Sequence, residues 1–126
     1  MLKHPKSDID FTVSPAYFIG VFDVYDREET LGKRLAEFDP NDEHQLRSVM
    51  DQFLFDGPWV ATLSPEHRQE LLRVLASALA DPGYDFAALV SGEAIGDFFC
   101  LPAEWDIRDA RHFFSRIYDL ALTRWK

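Results

Sequence analysis

Residues 41–55 read Asn41-Asp42-Glu43-His44-Gln45-Leu46-Arg47-Ser48-Val49-Met50-Asp51-Gln52-Phe53-Leu54-Phe55. Leu46, Val49, Met50, Phe53 and Leu54 fall at i, i+3, i+4, i+7 and i+8, the spacing of one helical face. Asp42, Glu43, Gln45, Arg47, Asp51 and Gln52 occupy the opposite side. The pattern predicts an amphipathic helix over about 41–55.

Outward toward the C-terminus, Asp56-Gly57-Pro58 and Asp81-Pro82-Gly83 read as turns. Between them, residues 65–80 carry a stripe of Leu71, Val74, Leu75, Ala78 and Leu79, with Glu66 in the first turn where the macrodipole favours an anion. A third helix is predicted from Ile107 to Arg124, capped by Asp106, with Ala110, Phe113, Phe114, Ile117, Leu120 and Ala121 on a broad apolar face. Ser14-Pro15, Asp39-Pro40 and Ser64-Pro65 each set a capping side chain before a proline, a helix-start signature. Residues 28–38 form a shorter helix candidate with Leu31, Leu35 and Phe38 inward and a Glu29–Lys33 pair at i, i+4. Residues 8–13 alternate as a strand does, and residues 17–25 suit either a strand or a helix, with helix favoured. Residues 86–100, interrupted by Gly92 and Gly96, read as two short helical pieces. The expected fold is one all-α domain over residues 1–126, an irregular bundle of five to seven helices. The alternative is α+β with a small N-terminal hairpin.

The chain has 126 residues, a net charge of −9 from 22 acids and 13 bases, and 47% hydrophobic residues. That composition fits a folded core and opposes sequence-independent nucleic-acid binding, which needs a cationic surface. No run of about 18 apolar residues predicts a membrane span. Asp8 and Asp10 fall where a signal peptide needs an apolar stretch, so a cytoplasmic protein is expected. The charge is uneven. Residues 8–56 hold twelve acids and four bases, residues 57–103 six and two, and residues 104–126 four and five. Acidic side chains of this kind keep a small protein soluble. They also steer a cationic partner, and Asp23, Asp26, Glu28, Glu29, Asp39, Asp42 and Glu43 are the candidate contacts.

Chemistry-bearing residues are sparse. His67 sits at the edge of an apolar stripe between Glu66 and Glu70, and no histidine pair or histidine–cysteine set has zinc spacing, so no metal or cofactor is expected. His112 shares a helical side with Arg108, Arg111, Ser115 and Arg116, a set suited to an anion or, in so acidic a chain, to ordinary pairing. Cys100, the one cysteine, lies among apolar residues and reads as inert, not nucleophilic. Ser91-Gly92-Glu93-Ala94-Ile95-Gly96 puts an acid where a phosphate loop wants none. Trp59, Trp105 and Trp125 read as packing residues, with an interface anchor as the alternative.

Leu101-Pro102-Ala103-Glu104-Trp105-Asp106-Ile107-Arg108-Asp109, leading into a helix with Phe113, Tyr118 and Trp125, resembles a pattern in bacterial immunity proteins of contact-dependent growth-inhibition and other polymorphic toxin systems. The resemblance spans roughly the last quarter of the chain. It implies a small acidic cytoplasmic protein that neutralises one cognate toxin domain, commonly a nuclease, by binding and not by catalysis. The alternatives are an acidic adaptor or secretion chaperone, and an enzyme with a carboxylate site.

Overall fold

The computed structural model describes residues 2–4, 7–23, 27–91, 101–102 and 104–125. Among these, six α-helices are formed: α1 (Lys33–Leu35), α2 (Glu43–Val49), α3 (Pro58–Ala61), α4 (Pro65–Ala80), α5 (Phe86–Ser91) and α6 (Ala110–Arg124). Short 3-10 turns at Pro15–Phe18 and Gly20–Phe22 and two π-helical segments, Glu28–Gly32 and Met50–Phe55, complete the bundle. The architecture is the all-α irregular bundle expected. Among the described residues the N-terminal alternation yields no strand, only an isolated antiparallel bridge between Lys3 and Asp10.

The two long helices carry the core. In α4, Ser64 accepts a hydrogen bond from the His67 N–H at 3.3 Å, and Pro65 takes the first helical position. Leu71, Leu75 and Ala78 are its buried residues, with His67. Helix α6 lies along α4 and also carries α5, and it buries Phe113, Phe114, Ile117 and Ala121. Phe114 meets Phe86 at 5.0 Å and Phe113 at 5.5 Å between ring centroids. Phe18, Ile19 and Phe22 from the 3-10 turns, and Leu46, Val49, Met50 and Leu54, join the same apolar cluster.

Three predicted boundaries move. Helix α6 starts at Ala110, not Ile107, because its cap is Asp109, which accepts from the His112 N–H at 3.0 Å. Asp106 instead lies in the non-helical stretch before α6. Helix α2 starts at Glu43, because Asp42 is the cap. Asp39-Pro40 therefore does not open a helix: the Asp39 carboxylate turns the chain by accepting the Asn41 N–H at 2.9 Å. Ser14-Pro15 opens only a 3-10 turn.

The fourth difference is one of register. The helix predicted over 41–55 widens into a π-turn at Met50–Phe55, closed by Asp56 N–H donating to the Asp51 carbonyl at 2.9 Å. One added residue per turn rotates the downstream side chains about the helix axis. Leu54 is buried as predicted and Phe55 is buried beside it in the chain, while Phe53, predicted inward, packs half-buried against the core. Gly57 permits the tight exit: a Cβ there would sit 2.5 Å from the Phe53 carbonyl oxygen. The second helical piece predicted within 86–100, Gly92, Gly96 and Cys100 lie outside the described residues.

No helix among the described residues is long and apolar enough to cross a membrane.

Candidate binding surface

Two acidic segments far apart in sequence lie side by side. One is the loop from Glu37 to Glu43; the other runs from Glu104 to Asp109. Two side chains hold them. Trp105 is buried against Phe22, its ring centroid 5.3 Å away, and its indole N–H donates to the Leu35 carbonyl at 2.8 Å. The Asn41 carboxamide N–H donates to the Asp106 carbonyl, and its oxygen accepts the Arg108 N–H at 3.2 Å. A neutral side chain thus satisfies one backbone acceptor and one backbone donor two residues apart.

The result is an acidic ridge to which one segment brings Glu37, Asp39, Asp42 and Glu43 and the other Glu104, Asp106 and Asp109, all exposed, with exposed Arg108 among them. Some of these carboxylates also serve the fold. Asp42 accepts the N–H groups of His44 and Gln45 at 2.9 and 3.3 Å, and Asp109 caps α6. Glu43 pairs with Arg116 at 3.4 Å. Among the described residues, the side chains of Glu37, Glu104 and Asp106 form no ion pair or hydrogen bond. A shallow depression of about 70 Å³ opens on the ridge between Pro40, Asn41, Glu43, Arg108, His112 and Arg116.

Of the seven predicted contacts, Asp39, Asp42 and Glu43 share this ridge. Glu29 is engaged with Lys33 at 3.0 Å, in the i, i+4 pair that its spacing predicts. Asp23 is half-buried, and its carbonyl accepts from Arg27 at 2.9 Å. Asp26 and the Glu28 side chain lie outside the described residues. Glu37, Glu104, Asp106 and Asp109 belong to the ridge and were absent from the predicted set. Charge density could have flagged Glu37; nothing in the local sequence pairs 104–109 with 37–43.

Of the cationic set around His112, Arg108 and Arg116 line the same depression as His112. Arg111 turns away and donates to the carbonyls of Leu79, Asp81 and Tyr84 at 3.0, 2.8 and 3.1 Å, closing the C-terminal end of α4. Arg116 pairs with Glu43 and Asp119. The pairing reading of this set therefore accounts for Arg116, while Arg111 pairs with backbone.

His67 is a structural latch. Its Nδ1 accepts the Ser64 backbone N–H at 3.1 Å and lies 2.7 Å from the Ser64 hydroxyl. That leaves Nε2 to donate to the Lys3 carbonyl, which ties the N-terminal segment to α4. Phe11 stands edge-on to the ring at 4.6 Å. The tryptophans pack: Trp125 lies 5.7 Å from Phe55 and 5.8 Å from Phe18, and Trp59 lies 6.5 Å from Tyr17.

The Ser64 side chain and the backbone at the start of α4 hold the Glu66 carboxyl below its ordinary value. A hydrogen bond from Arg73 lowers Glu70, and the same pair raises Arg73. Arg124 is raised chiefly by its hydrogen bond to Asp56.

Comparison of the chain with protein-family models, with curated proteins and with solved structures finds no match.

Proposed function

We propose that this chain is an immunity protein, a non-catalytic inhibitor that binds a cognate toxin domain of the nuclease kind. The observation that carries the reading is the joining of residues 37–43 and 104–109 into one ridge of seven exposed carboxylates. The segment whose sequence resembles immunity proteins, 101–109, supplies one flank of that ridge. A nuclease presents cationic groups to phosphates, and carboxylates held on a fixed scaffold occupy those positions in their place. Long-range attraction between the surfaces speeds encounter, and the inhibitor acts in the cytoplasm, where the toxin's substrate lies.

The test is to sequence the neighbouring genes and to co-express the chain with the C-terminal domain of any large secreted protein that they encode. Protection of growth is expected, together with its loss in the triple variant Glu37→Lys, Glu104→Lys, Asp106→Lys. With purified components, the association rate is expected to drop about tenfold or more as salt rises from roughly 50 to 300 mM, because screening shortens the reach of the field. Absence of protection, or full protection by the triple variant, rejects the proposal.

A further inference from the structure

We propose that the outer face of the Phe53 ring, with Phe38 set against it, is a seat for an arginine side chain of a protein partner, held in the free protein by Arg34. The inference rests on the reading of this chain as a binding protein and adds where a partner's cation docks.

Among the described residues, three arginines lie over aromatic rings. Arg111 is 4.9 Å from the Phe86 centroid, Arg124 is 5.4 Å from Phe55 and Arg34 is 4.7 Å from Phe53. The first two are fixed by other bonds. Arg111 serves three carbonyls, and Arg124 serves Asp51 at 2.9 Å and Asp56 at 2.5 Å. Arg34 is exposed and has no ion pair or hydrogen bond among the described residues, so the ring alone holds it. An exposed cation–π contact is weak enough to exchange.

Phe53 lies in the π-helical segment Met50–Phe55, half-buried against the core, and Phe38 meets it edge-on at 6.2 Å. Glu37 and Asp39 flank Phe38 in the chain and belong to the acidic ridge. The negative face of the ring and these carboxylates ask for a cation, and a planar, weakly hydrated guanidinium stacks on such a face better than an ammonium does. Arg34 already shows the chemistry that the seat accepts.

The test is aromatic NMR of the full chain titrated with an acetylated, amidated Gly-Arg-Gly-Arg-Gly peptide and its lysine counterpart. Saturable movement of the Phe38 and Phe53 ring signals is expected, larger for the arginine peptide. Removing the resident cation in Arg34→Ala should tighten peptide binding roughly threefold. Phe53→Leu, which keeps an apolar side chain without the ring, should abolish the site. Ring signals unmoved in both the wild type and Arg34→Ala overturn the proposal, as does equal peptide affinity in the two. Arg34 is a surface residue, so these outcomes stand even where Phe53→Leu fails to fold. Loss of toxin protection with the peptide response intact rejects the inhibitor reading and supports the seat.

Discussion

Arg111 and Asn41 each join a distant stretch of chain to the region around the start of α6, and they leave opposite surfaces behind. Arg111 is half-buried and spends its charge on three carbonyls at the end of α4 and the turn after it. Asn41 has no charge to spend. It bonds one backbone donor and one backbone acceptor, and the carboxylates around it stay exposed to solvent. The difference explains how a chain with 13 bases presents so acidic a face. Arg73, Arg111, Arg116 and Arg124 are all committed to intramolecular partners. The two segments of the ridge are joined by neutral groups instead, Trp105 and Asn41, and among the described residues the ion pair on it is Glu43 with Arg116.

The largest effect belongs to the side that Arg111 closes. Phe114 is fully buried between Phe86 and Phe113, so Phe114→Ala should cost about 3–5 kcal/mol in denaturant unfolding. Arg111→Ala should come next at about 2–3 kcal/mol, since three carbonyls lose a charged donor and Phe86 loses its cation. Arg111→Lys should recover only part of this, because an ammonium lacks the planar fork that spans the carbonyls. Full recovery by lysine would mean that the charge at the end of α4 matters and the geometry does not.

Trp105→Phe probes the other side. It keeps most of the ring and orphans the Leu35 carbonyl, at a cost of about 1–2 kcal/mol. Amide exchange at residues 105–108 should accelerate more than exchange in α4, if the indole is what holds the two acidic segments together. Equal acceleration in both places would remove the distinction between the regions.

The smallest effect concerns pH. The folded chain holds the Glu70 carboxyl below the ordinary 4.5 through Arg73. A carboxyl depressed on folding adds stability that is complete above its unfolded value and is lost as pH falls through the folded one. Glu70→Gln should therefore leave the acid limb of the stability curve slightly flatter and change little at neutral pH. The pair is solvent-screened, so a steep change would point to a network beyond Arg73.

Much of the fold was legible because helical signals are local. Ser64-Pro65 and the stripe through Leu79 place α4 at its observed bounds, since cap, first-turn proline and periodicity all lie within its own residues. The start of α6 was misplaced by three residues for a non-local reason. Asn41, far away in the chain, engages the Asp106 carbonyl and the Arg108 N–H, and the helix begins only after Asp109, which caps it. The π-turn was hidden because a regular helix accounts equally well for Leu46, Val49 and Met50.

The candidate surface was legible by half. Charge density pointed to Asp39, Asp42 and Glu43, whereas Glu29 goes to a local pair and Asp23 is half-buried. The residues 104–109 carry three acids in a segment whose surroundings are near-neutral, and nothing there signals a partner loop.

Composition and periodicity settled the sign of the charge, the helical class and the position of the longest helix, because each depends on the residues themselves or on neighbours within a turn. Which carboxylates stand together was decided only by tertiary structure. The bonds that join the two acidic segments end on backbone groups at Leu35, Asp106 and Arg108. Every residue but proline offers the same donor and acceptor there, so the sequence holds no mark of which one a distant indole or carboxamide will find.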